Sequence, residues 1–446
     1  MTDLAGLTEA LIAAARRAGA PEADAIAVGG TSVSIDIRAG RLETAERAEG
    51  TEIGLRVLIG GRQACVSASD TSSSTIQRLA ERAVAMAREA PIDPHVGLAD
   101  AGQIARDWNL AALELEDPAD EPGAAALEAA ARVVEAAALE NPDIRQVEAS
   151  ASYSRRAMHL AASNGFAGGY GRTSHSLSAV AFTGEGTAME RDWAAEGRIF
   201  AADMPDAAAI GRLASERAVQ RAGATKPKTG VFPVLFDERV ASSLIGHLLS
   251  AANGAAVARG ATWLRDALGK QVLPAALSVV EDPHRPRISG SRPFDGEGLP
   301  TRRRVIVENG ILTGWTLDLA TGRKLGMPST ANASRGVSSP PSPATSNIDL
   351  TPGALTRDDL IAQMGTGLLV TSMIGSTISA TTGDYSRGAA GFWVENGQIS
   401  HPVNECTIAG NLRTMLLSMI AANDARPHLS TRVPSLLVEG MTLAGQ

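Results

Sequence analysis

Residues 391–403 read Gly-Phe-Trp-Val-Glu-Asn-Gly-Gln-Ile-Ser-His-Pro-Val, and Asn396-Gly397 separates two strand-like runs within them. Asn-Gly between two such runs is the strongest short-range signal for a β-hairpin, because both turn residues must adopt positive φ. The four residues Val-Glu-Asn-Gly recur at 307–310, between the strand-like runs Arg304–Val307 and Ile311–Trp315. The second half of the chain is therefore predicted to be built around antiparallel hairpins.

The sequence around these hairpins is rich in glycine. A predicted strand, Val234–Phe236, precedes a predicted helix over Arg239–Ala252. The stretch Ser329–Pro352 is polar and rich in proline, which predicts a long surface or lid loop. We expect a β-dominated, barrel-like C-terminal domain with peripheral helices over residues 224–446.

The first half of the chain has another pattern, in which helices flank groups of strands. A helix, two strand pairs and a closing helix are predicted, and after the acidic, proline-containing linker Glu114–Gly123 the same order returns. The predicted helices are Leu4–Ala18, a second one capped within Thr71–Thr75 and running to Glu89, Ala124–Leu139 and Ala207–Ala222, and the predicted strands are Ala25–Val28, Ser32–Ile37, Glu52–Ile59, Ala64–Ser67, Gln146–Tyr153, Ala157–Ala162 and Leu177–Thr183. The expected fold class is α+β, with an N-terminal α/β domain over residues 1–223 that has antiparallel strands and flanking helices. A pseudo-repeat over 1–113 and 124–223 fits this order, and coincidence between alanine-rich helices is the alternative.

Composition excludes several classes of protein. The chain has 446 residues, with 41 Lys+Arg against 49 Asp+Glu, which gives a net charge of −8. This acidic balance argues against a nucleic-acid partner. Only 2 Cys are present, so no disulfide framework is expected. The N-terminus lacks the features of a signal peptide and no stretch resembles a membrane span, so a cytoplasmic protein without a membrane partner is expected.

The common catalytic signatures are missing, and the remaining candidates have ordinary structural interpretations. His247 lies on a predicted helix and could face a cleft, or could be a capped or exposed helix residue. Asp295 and Glu297, two positions apart in a glycine-rich loop, could bind a substrate amine or a metal, or could form a turn held by Asx hydrogen bonds. Glu281-Asp282-Pro283-His284 fits a solvated turn better than a cation site, and Cys406 fits a small buried residue better than a catalytic thiol.

The order and spacing of motifs through residues 230–446 resemble the TldD/PmbA family. The segments that carry the resemblance are Ser242–His247, Gly269–Val272, Glu281–Pro283, Pro293–Gly298, Arg323–Met327, Asn332-Ala333, Gly383–Gly388, Thr407–Leu412 and Pro434–Gly440. The resemblance implies one half of a heterodimeric metalloprotease that degrades or processes unfolded peptides. Proteins of this family have also been called modulators of DNA gyrase.

The resemblance further points to one of the two branches of the family. The catalytic TldD branch carries His-Glu-Ala-Val-Gly-His on its helix, with two zinc ligands and a carboxylate base, and a Cys near its C-terminus. Here the matching run is Ser-Ser-Leu-Ile-Gly-His, so Ser242 and Ser243 replace the first His and the Glu, and residues 425–433 contain no Cys. The chain is therefore identified with the PmbA branch, also called TldE. No catalytic residue, metal or cofactor is expected in it, and zinc is expected in its TldD-type partner.

The implied role is to hold and orient the peptide inside a chamber shared with the partner. The residues expected to contact the substrate are His247, Asp295, Glu297, Arg323 and Asn332. Two other hypotheses remain open. The chain could be a stand-alone peptide-binding or regulatory protein, in the form of a homodimer with an ancestral inactive site, or a self-sufficient hydrolase that uses Asp295, Glu297 and His247.

Overall fold

The computed structural model describes residues 2–446, and its first half contains five helices and six strands. In chain order these are α1 (Leu4–Arg17), β1 (Glu22–Arg38), β2 (Arg41–Ile59), β3 (Arg62–Ala68), α2 (Ser73–Glu89), α3 (Leu110–Leu113), α4 (Ala124–Ala138), β4 (Ile144–Ala162), β5 (Ala167–Thr183), β6 (Glu190–Arg198) and α5 (Ala207–Gln220). The predicted helices are confirmed to within two residues at their ends. Ser72 caps α2 by accepting a hydrogen bond from the Thr75 N–H, as the run of short hydroxyl side chains indicates.

The six strands form one antiparallel sheet in the order β3-β2-β1-β4-β5-β6. The order helix-strand-strand-strand-helix occurs twice, and the two sets of strands meet where β1 pairs with β4. α1 and α2 pack on the first set and α4 and α5 on the second, which gives two separate hydrophobic cores. Each core contains many alanines, so the helices lie close to the sheet.

Two pairs of predicted strands are single long strands in the structure. Ala25–Val28 and Ser32–Ile37 both belong to β1, which continues through Gly29-Gly30 because it is paired on both sides. A Cβ atom on Gly30 would lie 2.2 Å from the Arg155 carbonyl oxygen, so only glycine fits this approach of β1 to β4. The prediction of a break was wrong because neighbouring strands hold the glycines in extended conformation.

The second half contains five helices and thirteen short or long strands. They are β7 (Gly230–Phe236), α6 (Glu238–Ala251), α7 (Gly254–Ala258), β8 (Val279–Glu281), β9 (Arg304–Glu308), β10 (Ile311–Leu312), α8 (Leu319–Leu325), β11 (Ala333–Ser334), β12 (Ser342–Pro343), β13 (Ile348–Leu350), α9 (Arg357–Met364), β14 (Gly367–Ile378), β15 (Asp384–Glu395), β16 (Gln398–Asn411), α10 (Leu412–Leu417), β17 (Ile420–Ala421), β18 (Thr431–Arg432) and β19 (Leu436–Ala444). Both Asn-Gly hairpins form, and Asn396 and Gly397 have φ values of 53° and 72°.

Five of these strands close into a small barrel, in the order β16-β15-β14-β7-β19. Pairing of Thr407–Ala409 in β16 with Thr442–Ala444 in β19 completes the ring. A second sheet, β10-β9-β8-β13-β18, lies beside the barrel. One hydrophobic core spans barrel, second sheet and α6. The α+β class, the antiparallel N-terminal sheet with helices and the barrel-like C-terminal region are thus confirmed.

The prediction of a surface loop over Ser329–Pro352 was wrong for much of its length. Asn332, Asn347 and Ile348 are at most 3% exposed, and the segment supplies β11, β12 and β13. The amide of Asn347 donates to the Asp282 carbonyl and to the Ser291 hydroxyl at 2.8 and 2.7 Å. The segment is polar because its side chains bond to groups inside the protein, and composition alone does not distinguish this from solvation.

Candidate functional site

Helix α6 presents the residues that align with the metal-binding motif. Asp237 caps its first turn by accepting from the Arg239 N–H at 3.2 Å. Its buried face, with Leu244, Ile245 and Leu248, packs into the core. Because side chains four residues apart share one face of a helix, Ser242, Gly246 and Ser250 lie together on another face.

That face forms one wall of a cleft of about 400 Å³, here called the cleft. Its polar lining consists of Ser242, Ser250, Asn253, Thr316, Thr345 and Thr431, with Leu249 and Ile348 as apolar neighbours. The Asn253 amide donates to the Pro343 carbonyl at 2.8 Å and so ties the 329–352 segment to the end of α6. Among the described lining residues none carries an ionisable side chain, so the cleft offers neutral hydrogen-bonding groups only.

His247 and Ser243 are not among the residues that line the cleft. The His247 ring stands edge-on to the Tyr385 ring, with centroids 5.9 Å apart. Burial, aided by the Arg387 charge, lowers the pKa of His247, so the ring is neutral near pH 7. The Ser243 hydroxyl donates to the Val240 carbonyl at 2.7 Å within the helix. The first position of the motif therefore faces the cleft, and the last one faces the barrel.

The C-terminal segment 425–433, where the catalytic branch would place its Cys, reaches the cleft through Thr431. His428 in the same segment points elsewhere, with its Nε2 3.1 Å from a Glu196 oxygen. Cys406 is 4% exposed, and its thiol lies 3.2 Å from the Ala389 carbonyl, to which it donates. Burial raises the pKa of Cys406 to about 11, which agrees with its interpretation as a small buried residue.

The residues around the cleft do not suit a zinc ion. Zinc in proteins takes imidazole, thiolate or carboxylate ligands, and the cleft supplies hydroxyls and an amide. Within the described part of the chain, no three His, Cys, Asp or Glu side chains are grouped so that they could hold a metal. The one imidazole of the motif, His247, packs against an aromatic ring.

Asp295 and Glu297 lie in a buried junction between the two halves of the protein. Asp295 is 1% exposed, and its carboxylate accepts three backbone N–H groups, from Glu297, Leu299 and Ala333, each at 2.9 Å. Two of these bonds form the Asx-type turn that the sequence left as an alternative. Glu297 accepts from the Leu319 N–H at the start of α8, also at 2.9 Å. Both carboxylates are therefore engaged inside the protein.

Three further charged residues complete this junction. Arg56 of β2 donates to Asp24 of β1 at 2.8 Å, and Arg335 of the 329–352 segment pairs with the other oxygen of the same carboxylate. The junction thus consists of Asp24, Arg56, Asp295, Glu297 and Arg335. Burial and the adjacent Asp295 raise the pKa of Glu297 to about 8. Burial also raises the pKa of Asp295, whereas the two arginines lower that of Asp24.

The two other expected substrate contacts also bond within the chain. Arg323 donates to the carbonyls of His95 and Leu98, at 3.1 and 2.7 Å, and so holds α8 against the first half. The Asn332 amide donates to a Glu281 oxygen at 2.8 Å, and Asn332 is 3% exposed. The structure thus brings none of the five expected contacts into the cleft. The lining residues Thr316, Thr345 and Thr431 were not anticipated, because isolated threonines carry no sequence signal.

Comparison with known proteins identifies the family. The models described as PmbA/TldA metallopeptidase domain 1, central domain and C-terminal domain match residues 23–87, 110–222 and 229–445. Metalloprotease PmbA of Escherichia coli O157:H7 is 37% identical over 93% of this chain and 90% of its own length. The chain belongs to the PmbA/TldD family. A PmbA homolog of Haemophilus influenzae is 36% identical over 97% of the chain and 94% of that protein.

Solved structures of the PmbA/TldD type share the whole fold. A candidate modulator of DNA gyrase from Bacteroides thetaiotaomicron superimposes with a TM-score of 0.91 at 27% identity, over 99% of this chain and 98% of the other. TldE from Thermococcus kodakarensis has a TM-score of 0.83 at 18% identity, over 98% and 100% of the two chains, which establishes likeness of fold. None of the helices described for residues 2–446 combines the length and apolar character needed to cross a bilayer.

Proposed function

We propose that this PmbA-type chain is the metal-free, non-catalytic subunit of a two-chain metalloprotease for unfolded peptides. The observation that supports this most is the cleft, where Ser242 brings a hydroxyl to the position of the catalytic branch's first His, and where the segment 425–433 contributes Thr431 and contains no Cys. Ser243 has a hydroxyl where the catalytic branch has its Glu, and a neutral hydroxyl is far too weak a base to replace a carboxylate as a general base near pH 7.

In this role the cleft holds a stretch of peptide main chain while a zinc-bearing partner cuts it. Neutral hydroxyl and amide groups can donate to peptide carbonyls or accept from peptide N–H groups without selecting charged side chains. Holding the peptide in a fixed orientation lowers the entropic cost of the reaction in the partner. Such a division of roles requires that the two chains meet around one peptide.

The test is reconstitution with a zinc-bearing chain of the same family. The purified chain alone should contain no stoichiometric zinc by metal analysis and should not cleave an unstructured peptide. Mixing with the partner should produce peptidase activity, and the complex should contain one zinc per pair. Zinc and peptidase activity in the isolated chain would contradict the proposal. A stable homodimer that binds peptide and ignores the partner would favour the stand-alone alternative.

A substitution that fills the cleft tests its part in substrate binding. Ser242→Trp should raise the KM of the reconstituted pair several-fold with little change in kcat, because the bulky ring occupies space that the peptide needs. The matched control is Ser74→Trp, at an exposed position in the first turn of α2. Equal kinetics for both variants would remove the cleft from the proposal.

A further inference from the structure

The strand β2 has an unusually long bare edge. β1 pairs with β2 over nearly its whole length, but β3 pairs with it only from Ile53 onward. Residues 41–50 are all exposed, and no other described segment hydrogen-bonds to the backbone along Arg41–Glu52. This stretch is here called the bare edge. A row of unpaired backbone groups of this length is a template for another strand.

The direction of the backbone groups along the bare edge follows from the turn that joins β2 to β3. Gly60 and Gly61 have φ values of 57° and 76°, as in a two-residue hairpin turn that exchanges hydrogen bonds between Ile59 and Arg62. Ile59 therefore directs its N–H and C=O away from β1, and so does every second residue before it. The register with β1 is continuous from Leu58 to Thr44, so Ala45, Arg47, Glu49 and Thr51 direct their backbone groups outward.

The corresponding edge in the second set of strands is covered. β6 pairs with β5 only from His175 onward, which leaves residues 167–174 as the counterpart of the bare edge. The Thr173 N–H donates to the Leu115 carbonyl at 3.0 Å, and the Asp117 N–H donates to the Thr173 hydroxyl at 2.8 Å. Trp108 and Phe294 pack against Gly168 farther along the same edge. An extended segment and the second half of the chain thus protect one edge and leave the other open.

The charges on the bare edge indicate what covers it. The bare edge carries two arginines, Arg41 and Arg47, and four glutamates, Glu43, Glu46, Glu49 and Glu52. Arg47 already pairs with Glu121, so the negative charge predominates. A second copy that used the same edge would bring two acidic strands together, and like charges opposite each other destabilise a sheet. An extended segment that carries Lys or Arg is complementary in charge.

We infer that the bare edge of β2 docks an extended basic segment of a second subunit, which adds as a strand beside Ala45–Thr51. This rests on the proposed function, and the second subunit is the zinc-bearing partner. Main-chain bonds provide affinity along the edge, and the glutamates select the partner by charge. Salt should weaken this part of the interaction, because the edge is exposed to solvent.

The main variant is Ala45→Pro, which removes an outward N–H and leaves the ladder to β1 complete. We expect it to weaken binding to the zinc-bearing chain at least tenfold, as measured by calorimetry. A shift in Tm of only a few degrees shows that the fold is retained. The charge variant Glu46→Lys/Glu49→Lys keeps every backbone group and should also weaken binding about tenfold, less so at high salt. Its control is Glu81→Lys/Glu89→Lys on the exposed face of α2.

The results separate the inference from the proposed function. If the wild-type chain neither binds nor activates the partner, both fail. If the wild type forms an active complex and both edge variants bind the partner as tightly as the α2 control variant, the inference fails and the proposed function stands. The charges of the bare edge would then only protect an open edge from unwanted pairing. If Ala45→Pro instead causes a homodimer of this chain to dissociate, the bare edge pairs with a second copy of the chain and the inference is overturned. The expected supporting result is that the backbone amides of residues 45–51 exchange with deuterium more slowly in the active complex than in the free chain.

Discussion

The cleft and the junction use polar side chains in opposite ways. The cleft is lined by hydroxyls and one amide and faces outward, whereas the junction buries two arginines and three carboxylates between the halves of the protein. The charged residues that stood out in the sequence, Asp295 and Glu297, belong to the junction. The neutral residues that did not stand out line the cleft.

The buried charges of the junction connect segments from the two halves of the protein, as the ion pair between Asp24 and Arg335 does. A buried charge must be paired or hydrogen-bonded, and every carboxylate of the junction accepts at least one N–H group from a different segment. A site without ionisable groups can bind peptide but has no group for acid-base chemistry. Substitutions in the junction should therefore affect stability, and substitutions in the cleft should affect function.

The largest expected effect is that of Asp24→Ala in the junction. The substitution leaves Arg56 and Arg335 buried without their shared carboxylate, and removing one partner from a buried ion pair costs about 3–5 kcal/mol. Urea unfolding should show this loss. The control is Glu43→Ala, which breaks the exposed pair with Arg38 and should leave the unfolding midpoint unchanged. Equal small losses for both variants would show that the buried cluster is not needed to hold the halves together.

Asp295→Ala should follow, with a loss of about 3 kcal/mol. Three backbone N–H groups would lose their acceptor in a buried turn, and each unsatisfied group costs about 1–3 kcal/mol, partly relieved by entry of water. Asp295→Asn keeps one acceptor oxygen and should lose less. If the asparagine variant is as unstable as the alanine variant, the charge rather than the hydrogen bonds stabilises the turn.

The third prediction concerns pH. The pKa of Glu297 is about 8 in the folded protein and near its ordinary 4.5 in the unfolded chain, so folding binds a proton between these values. The free energy of unfolding should therefore fall as pH rises from about 6 to 8, by on the order of 2 kcal/mol, and level off above that. Glu297→Gln should abolish this part of the slope, as followed by thermal unfolding at a series of pH values.

The smallest expected effect on stability lies in the cleft. Ser242→Ala removes a hydroxyl that has no partner among the described residues, so the free energy of unfolding should change by less than about 0.5 kcal/mol. The KM of the reconstituted pair should nevertheless rise. A large loss of stability with unchanged kinetics would reverse the distinction between cleft and junction.

Much of the secondary structure could be predicted from local signals. The Asn-Gly hairpin at residues 396–397, the Ser72 cap and the helix over Arg239–Ala252 all depend on a few neighbouring residues, and all of them form. The first eleven residues of β2, 41–51, were missed. They are exposed on both faces and have no alternation of apolar side chains, so only pairing with β1 makes them a strand.

The candidate site could be predicted only in part. The replacement of the catalytic branch's first His by Ser242 and of its Glu by Ser243 is a matter of residue identity and is visible in the sequence. The place of Asp295 is decided by Ala333, which is 38 residues away and donates to its carboxylate. Thr316, Thr345 and Thr431 meet at the cleft from three separate segments.

The family, the α+β class, the two hairpins and the absence of the zinc-binding pattern could all be read from the sequence, because each depends on residue types at short spacing. Only the packing of distant segments shows that Asp295 and Glu297 are buried and hydrogen-bonded within the chain, that the cleft is lined by neutral groups and that one of two equivalent strand edges is bare. These properties depend on which distant segments pack together. Burial and pairing then decide whether a carboxylate holds a fold together or meets a ligand.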